Sequence, residues 1–111
     1  MNDNIIFHIV KKSWWETQKE LDHYLSESYH EENFIHCSTR AQLHATANRY
    51  YLTEPLIYLL HLDTALLSSE LKYELSPSLQ QFFPHIYGPI NKQAIIMAEE
   101  LMKPAGDTWQ L

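Results

Sequence analysis

Leu56-Ile57-Tyr58-Leu59-Leu60-His61-Leu62 is apolar at every position but one, and no other stretch limits the fold as much. It follows a break at Thr53-Glu54-Pro55 and has strand length. A strand apolar on both faces belongs in the middle of a sheet that is covered on each side. Ile5 to Val10 repeats the pattern, interrupted only by His8, and predicts a second buried strand on which Ile6, His8 and Val10 share a face.

Phe34-Ile35-His36-Cys37-Ser38-Thr39 reads as a third buried strand running straight into a helix over Arg40 to Tyr50. On a period of two, Phe34, His36 and Ser38 lie on one face and Ile35, Cys37 and Thr39 on the other, so His36 and Ser38 point together into a cleft. Thr39 and Gln42 form a capping box, and Leu43, Ala47 and Tyr50 fall on the side that packs on the sheet. Upstream, Ser13 to Glu16 fits another capping box, and Trp14, Gln18, Leu21 and Leu25 have the spacing of an amphipathic helix ending near Tyr24. The polar stretch Glu27 to Asn33 reads as a loop over the cleft.

Beyond Leu62, Asp63 to Leu67 predicts one capped helical turn, and Leu71 to Leu75 alternates as a half-exposed strand with Lys72 and Glu74 on one face. After a turn at Ser76 to Gln81, Phe82 to Ile90 is extended, with His85 and Tyr87 on one face and Pro84, Gly88 and Pro89 setting the backbone path. Asn91 to Gln93 predicts a turn. Ala94 to Leu101 reads as a strand on the strength of Ile95-Ile96, and a loose tail follows from Lys103. Helices early and strands late make the class α+β, with five or six strands and two main helices.

The 111 residues suit a single domain, with its core at about 4–102 and the tail at 103–111. A net charge of −6, from eight basic and fourteen acidic residues, argues against a nucleic-acid partner held by its phosphates. One cysteine leaves no intrachain disulfide, and the N-terminus lacks a basic segment followed by an apolar run, so the protein is expected to be cytoplasmic. No apolar stretch approaches the roughly 20 residues that span a bilayer.

Three histidines, His8, His36 and His85, each interrupt an apolar segment. Buried histidines are uncommon enough that three of them suggest one pocket. Each candidate also has a purely structural reading. His8 can be a neutral core histidine bonded to a backbone carbonyl, Ser38 and Thr39 can be helix caps, Glu74 can pair with Lys72, and Arg49 can be a surface cation. Cys37 points away from His36 and reads as a small buried side chain. Three imidazoles can also ligate zinc or another divalent metal with one position open, although their spacing matches no compact zinc motif.

His8-Ile9, Phe34 to Thr39, Thr46-Ala47-Asn48-Arg49-Tyr50-Tyr51, Tyr73-Glu74 and Phe83-Pro84-His85-Ile86-Tyr87-Gly88-Pro89 occur in the order found in a bacterial family catalogued as domain of unknown function 952, which the chain resembles from Ile6 to about Leu101. The resemblance implies an ADP-ribosyltransferase-like fold, a split mixed sheet with a cleft that holds NAD in active members. It implies His8 as the first motif, His36 with Ser38 and Thr39 as the second, and Glu74 or His85 as the third. Breaking a nicotinamide–ribose bond needs groups that position the nucleotide, an anion near the developing oxocarbenium charge and a base for the acceptor. By that resemblance His8 and His36 hold ribose or phosphate, and Glu74 supplies the anion. Ser38 or Thr39 holds carboxamide or ribose hydroxyls, Tyr87 stacks on a flat ring, and Arg49 meets phosphate. The expected activity is transfer or hydrolysis on an NAD-like nucleotide, a small-molecule partner. The alternatives are a non-catalytic module binding a nucleotide or peptide, and a His-ligated metal site.

Overall fold

The two apolar runs pair with each other. In the computed structural model, which describes residues 4–111, β1 (Ile5–Lys11) lies antiparallel to β4 (Leu56–Asp63), with His8 opposite Leu60. On the other side of β4 lies β8 (Ile95–Met102), also antiparallel, with an irregularity between His61 and Leu62. The predicted central strand is therefore central, and Ala94 to Leu101 is a strand as expected. Both faces of β1 and β4 are covered, whereas β8 is largely exposed. Ile6, Val10, Leu60 and Leu62 enter one core cluster with Ile35, Ile86 and Ile90, while Phe7, Ile9, Ile57 and Leu59 enter a second with Leu43, Ala47 and Trp109. Alternate side chains feeding two separate cores is why these strands read as nearly continuous apolar runs.

A second sheet has the order β3 (Ile35–His36), β6 (Gln81–Tyr87), β5 (Glu70–Ser76). β5 and β6 form a hairpin, and His36 lies opposite His85. A short ribbon pairs β2 (His23–Tyr24) with β7 (Ile90–Asn91). All these pairings are antiparallel, where mixed pairing was expected; the tight β5–β6 connection returns the chain directly alongside itself, as only antiparallel strands allow. The two larger sheets meet at a backbone bridge. The Phe7 N–H donates to the Ser38 carbonyl at 2.9 Å and the Ser38 N–H to the Phe7 carbonyl at 2.7 Å.

The helices are shorter than the sequence predicts. α1 (Lys12–Gln18) begins after Lys11, so Ser13 is not its cap, and it ends six residues before Tyr24. Two interactions turn the chain there. Trp14 Nε1 donates to the Leu25 carbonyl at 2.7 Å and the Leu25 N–H donates to Gln18 Oε1 at 3.1 Å. Lys92 Nζ donates to the carbonyls of Gln18 and Lys19, each at 3.0 Å, and satisfies groups that a helix C-terminus leaves open. Tyr24 is thereby drawn into the core as part of a strand, and Leu21, expected on the apolar face, is 50% exposed.

α2 (Tyr29–Glu32) is a single turn within the predicted loop, closed by Asn33 at φ 67°, a left-handed conformation that asparagine tolerates. α3 (Leu43–Tyr50) follows a 3-10 turn at Arg40–Gln42, where the Thr39 N–H donates to Gln42 Oε1 at 3.0 Å, as the capping box predicts. Leu43 and Ala47 are buried, but Tyr50 is exposed. Tyr51 packs against the second core in its place, because the helix ends at Tyr50 and the next residue turns inward.

The loose tail expected from Lys103 is not what forms. Trp109 is 2% exposed in the second core, its N–H donates to Asn48 Oδ1 at 2.7 Å, and its indole Nε1 donates to the Tyr51 carbonyl at 2.8 Å. A lone indole at the end of a polar stretch has no periodicity to announce it. No helix among the described residues is long and apolar enough to cross a membrane.

Candidate functional site

A cleft of about 830 Å³ opens beside the bridge between the two sheets. Its walls come from β1, the extended segment around His36 to Ser38, α2, α3 and the tip of the β5–β6 hairpin. Five of the eight sequence candidates line it: His8, His36, Ser38, Arg49 and His85. Thr39, Glu74 and Tyr87 are absent from the lining.

His8 reaches the site because it shares a face of β1 with Ile6 and Val10 yet sits where the sheets part. It is buried, and both ring nitrogens are bonded, Nδ1 to the His36 carbonyl at 2.6 Å and Nε2 to the Tyr24 hydroxyl at 2.8 Å. A carbonyl only accepts, so Nδ1 carries the proton and Nε2 accepts from the Tyr24 O–H. Burial pushes the His8 pKa down to about 4, so the ring is neutral near pH 7 with a defined tautomer. The structural reading of His8, a neutral core histidine bonded to a backbone carbonyl, describes it, and the ring also lines the cleft. Burial likewise raises the Tyr24 phenol, which keeps its proton, and the buried Cys37 thiol. That rise makes Cys37 a poor nucleophile.

His36 is exposed, and its Nε2 lies 3.0 Å from Glu32 Oε2, one turn back on α2. Burial acts to raise the Glu32 carboxyl, but the Ser28 hydroxyl at 2.6 Å and His36 outweigh it and leave the pKa lowered. His85 stands opposite His36 with ring centroids 5.2 Å apart, and Phe34 lies against both rings, at 4.6 Å and 4.1 Å. Behind His85, the Tyr87 hydroxyl at 2.6 Å and His85 Nδ1 at 2.7 Å both donate to Glu74 Oε1 and hold that carboxyl below its usual value. Glu74 is thus a support for His85 rather than a lining group. Lys72, its expected partner, lies over the Tyr87 ring at 5.0 Å. Thr39 serves only the helix start.

Ser38 donates to Thr46 Oγ1 at 3.2 Å. Arg49 lies on the exposed side of α3 at the cleft, and among the described residues it has neither an ion pair nor a hydrogen bond. The three histidines do not form one ligand set. Both nitrogens of His8 are satisfied by the protein, and among the described residues no three His, Cys, Asp or Glu side chains are placed to hold a metal ion.

Tyr24, Ser26 and Glu32, none of them among the sequence candidates, also line the cleft. The alternation Tyr24-Leu25-Ser26 would have been the signal had the segment been read as extended. The i, i+4 relation of Glu32 and His36 was legible only with the turn at Tyr29–Glu32 in hand.

The model of a family described as "Protein of unknown function (DUF952)" matches residues 9–98. The crystal structure of protein CC0527 from Caulobacter crescentus superposes with a TM-score of 0.83 at 25% identity, covering 96% of this chain and 93% of that one. The solution NMR structure of the same protein gives 0.77 at 25% identity, with 92% and 88% covered. A comparison with curated proteins finds no match.

Proposed function

Because this chain belongs to the DUF952 family, described as of unknown function, its function is read from the cleft, and we propose that the cleft binds an NAD-like nucleotide and acts on its glycosidic bond by transfer or hydrolysis. The observation that carries this is the Arg49 guanidinium, which has no partner among the described residues and lies on the same cleft as His8 and His36. A free arginine beside a cavity of this size suits a diphosphate, which it can meet with two parallel hydrogen bonds. In this reading the fold is ADP-ribosyltransferase-like, two antiparallel sheets split at the Phe7–Ser38 bridge with the nucleotide at the split.

Arg49 takes the phosphates. The His36–Glu32 pair lies near the ribose, with the Glu32 carboxylate stabilising the oxocarbenium charge as the C1′–N bond breaks and nicotinamide leaves with the electron pair. Water or an acceptor hydroxyl adds at C1′ and gives its proton to the unbonded nitrogen of His85, whose Nδ1–H is held by Glu74. Glu74 therefore acts through His85, and Tyr87 through Glu74. Ser38 remains available to a ribose hydroxyl. The site is cytoplasmic in this reading, and its partner is a small molecule rather than a nucleic acid.

Calorimetric titration with NAD tests the proposal on the parent, Arg49→Ala and His36→Ala. The parent binds, and Arg49→Ala weakens binding by about tenfold or more. Absence of heat and of thermal stabilisation at millimolar NAD sinks the proposal. If NAD binds but neither nicotinamide nor ADP-ribose is released, the cleft is a binding module without catalysis.

A further inference from the structure

Among the described residues, one buried side-chain polar atom has no hydrogen-bond partner. Ser26 is 8% exposed and lines the cleft, and its Oγ is enclosed without a hydrogen bond. Leaving a hydroxyl unsatisfied in the interior is unfavourable, and such groups occur in native proteins where water or a ligand completes them. The neighbouring wall is already arranged. The Tyr24 proton is committed to His8, the Ser38 proton to Thr46, and the Trp14 N–H to the Leu25 carbonyl. Ser26 thus keeps both a donor and an acceptor to offer, while the Tyr24 oxygen keeps lone pairs to accept with.

The charges of the cleft are elsewhere. Its fully buried lining residues include His8, Tyr24, Ser26, Cys37 and Ser38 and carry no charged side chain, whereas Glu27, Glu31, Glu32 and Arg49 are exposed and Lys11 is half-buried. The cleft therefore grades from an uncharged polar inner wall to a charged rim. A carboxylate driven against the inner wall would lose its hydration and find no cation there, whereas a neutral amide has one donor and one acceptor for the two open positions.

We infer that Ser26, with Tyr24 beside it, forms the inner recognition subsite for an uncharged planar amide head group and selects against the corresponding carboxylate. The inference rests on the reading of this cleft as a ligand site and names the part of the ligand that enters first, leaving a charged tail at the rim beside Arg49. Ser26 acts here as a specificity residue and takes no part in bond making.

The test is calorimetric titration of the full chain with nicotinamide and with nicotinic acid, a pair differing only in amide against carboxylate, on the parent and on Ser26→Ala. The parent binds the amide at least about tenfold tighter than the acid, and Ser26→Ala loses about tenfold for the amide. Thermal melting of the unliganded proteins supplies a readout that a purely structural serine would move the other way. Removing an unsatisfied hydroxyl leaves the melting temperature of Ser26→Ala equal to or above that of the parent. Ser26→Cys, which keeps the shape but donates weakly, falls between the two in affinity.

Equal binding of amide and acid overturns the inference, as does no binding of either. So does a Ser26→Ala protein that binds like the parent and melts lower, which would make the hydroxyl the seat of a fixed water. NAD binding without amide preference ends this inference and leaves the nucleotide reading standing. Serine-dependent nicotinamide binding without NAD binding does the reverse.

Discussion

His8 sets the chemistry of the inner cleft because burial and two hydrogen bonds decide its protonation and its tautomer together. The unfolded chain takes up a proton on this ring near its ordinary value of 6.5, and the folded protein does so only near 4. Between those values the unfolded state binds more protons, so acidification through this window favours unfolding, and the contribution is present above it and gone below it. For a buried ring the loss is on the order of 3 kcal/mol at most. Urea unfolding at about pH 7.5 and about pH 5 measures it, and a His8→Asn variant is expected to show a shallower fall across the same interval. The carboxylates of Glu32 and Glu74, both lowered, lose their contributions at more acid pH and so do not mimic this step. Tyr24→Phe keeps the ring and removes the O–H that Nε2 accepts. It is expected to cost about 1–3 kcal/mol, read as a fall in the urea midpoint with an unchanged slope.

Among the elements, the C-terminal segment departs most from expectation. Trp109 closes the second core against Leu43 and Ala47, and its backbone exchanges hydrogen bonds with the Asn48 side chain. Trp109→Ala removes a buried indole and is expected to destabilise the protein by about 3–5 kcal/mol, with faster amide exchange in α3 as the local sign of it. A loose tail would leave both quantities unchanged. At the other end of the chemistry, the turn after β6 depends on Gly88, whose φ of 142° is rarely adopted by other residues and whose added Cβ would meet the Ser69 hydroxyl. Gly88→Ala is expected to cost on the order of 1–3 kcal/mol by thermal or urea denaturation.

At the scale of the molecule, the cleft opens where the Phe7–Ser38 bridge joins two sheets that pack on each other through Ile6, Leu60, Ile35 and Ile86. Ser38→Pro removes the N–H that donates to the Phe7 carbonyl and is expected to cost about 3 kcal/mol or more. If the chain remains folded, NAD binding falls further than in Ser38→Ala, which keeps the bridge and loses only the hydroxyl. Equal binding by the two variants would show that the bridge does not shape the site.

Much of this protein was legible in the residues. The apolar runs at Ile5–Val10 and Leu56–Leu62 determined two buried strands, of which Leu56–Leu62 is the central one, because only a strand buried on both faces has that composition, and Thr39 with Gln42 determined a helix start through local hydrogen bonds. The alternation of His85 with Tyr87 put both side chains on the face where Glu74 meets them. Features set by contacts distant in sequence were not legible. Lys92 ends α1 from more than 70 positions away, Trp109 reaches a core built from β1 and α3, and Glu74 is withdrawn from the cleft by partners on the neighbouring strand. The emptiest signal was that of Ser26. A serine is unremarked in any sequence, and only the tertiary packing leaves its hydroxyl enclosed and unbonded. Local propensity and periodicity report which faces are buried, whereas the tertiary structure alone decides which polar groups are left without a partner, because that depends on every chain segment that closes around them.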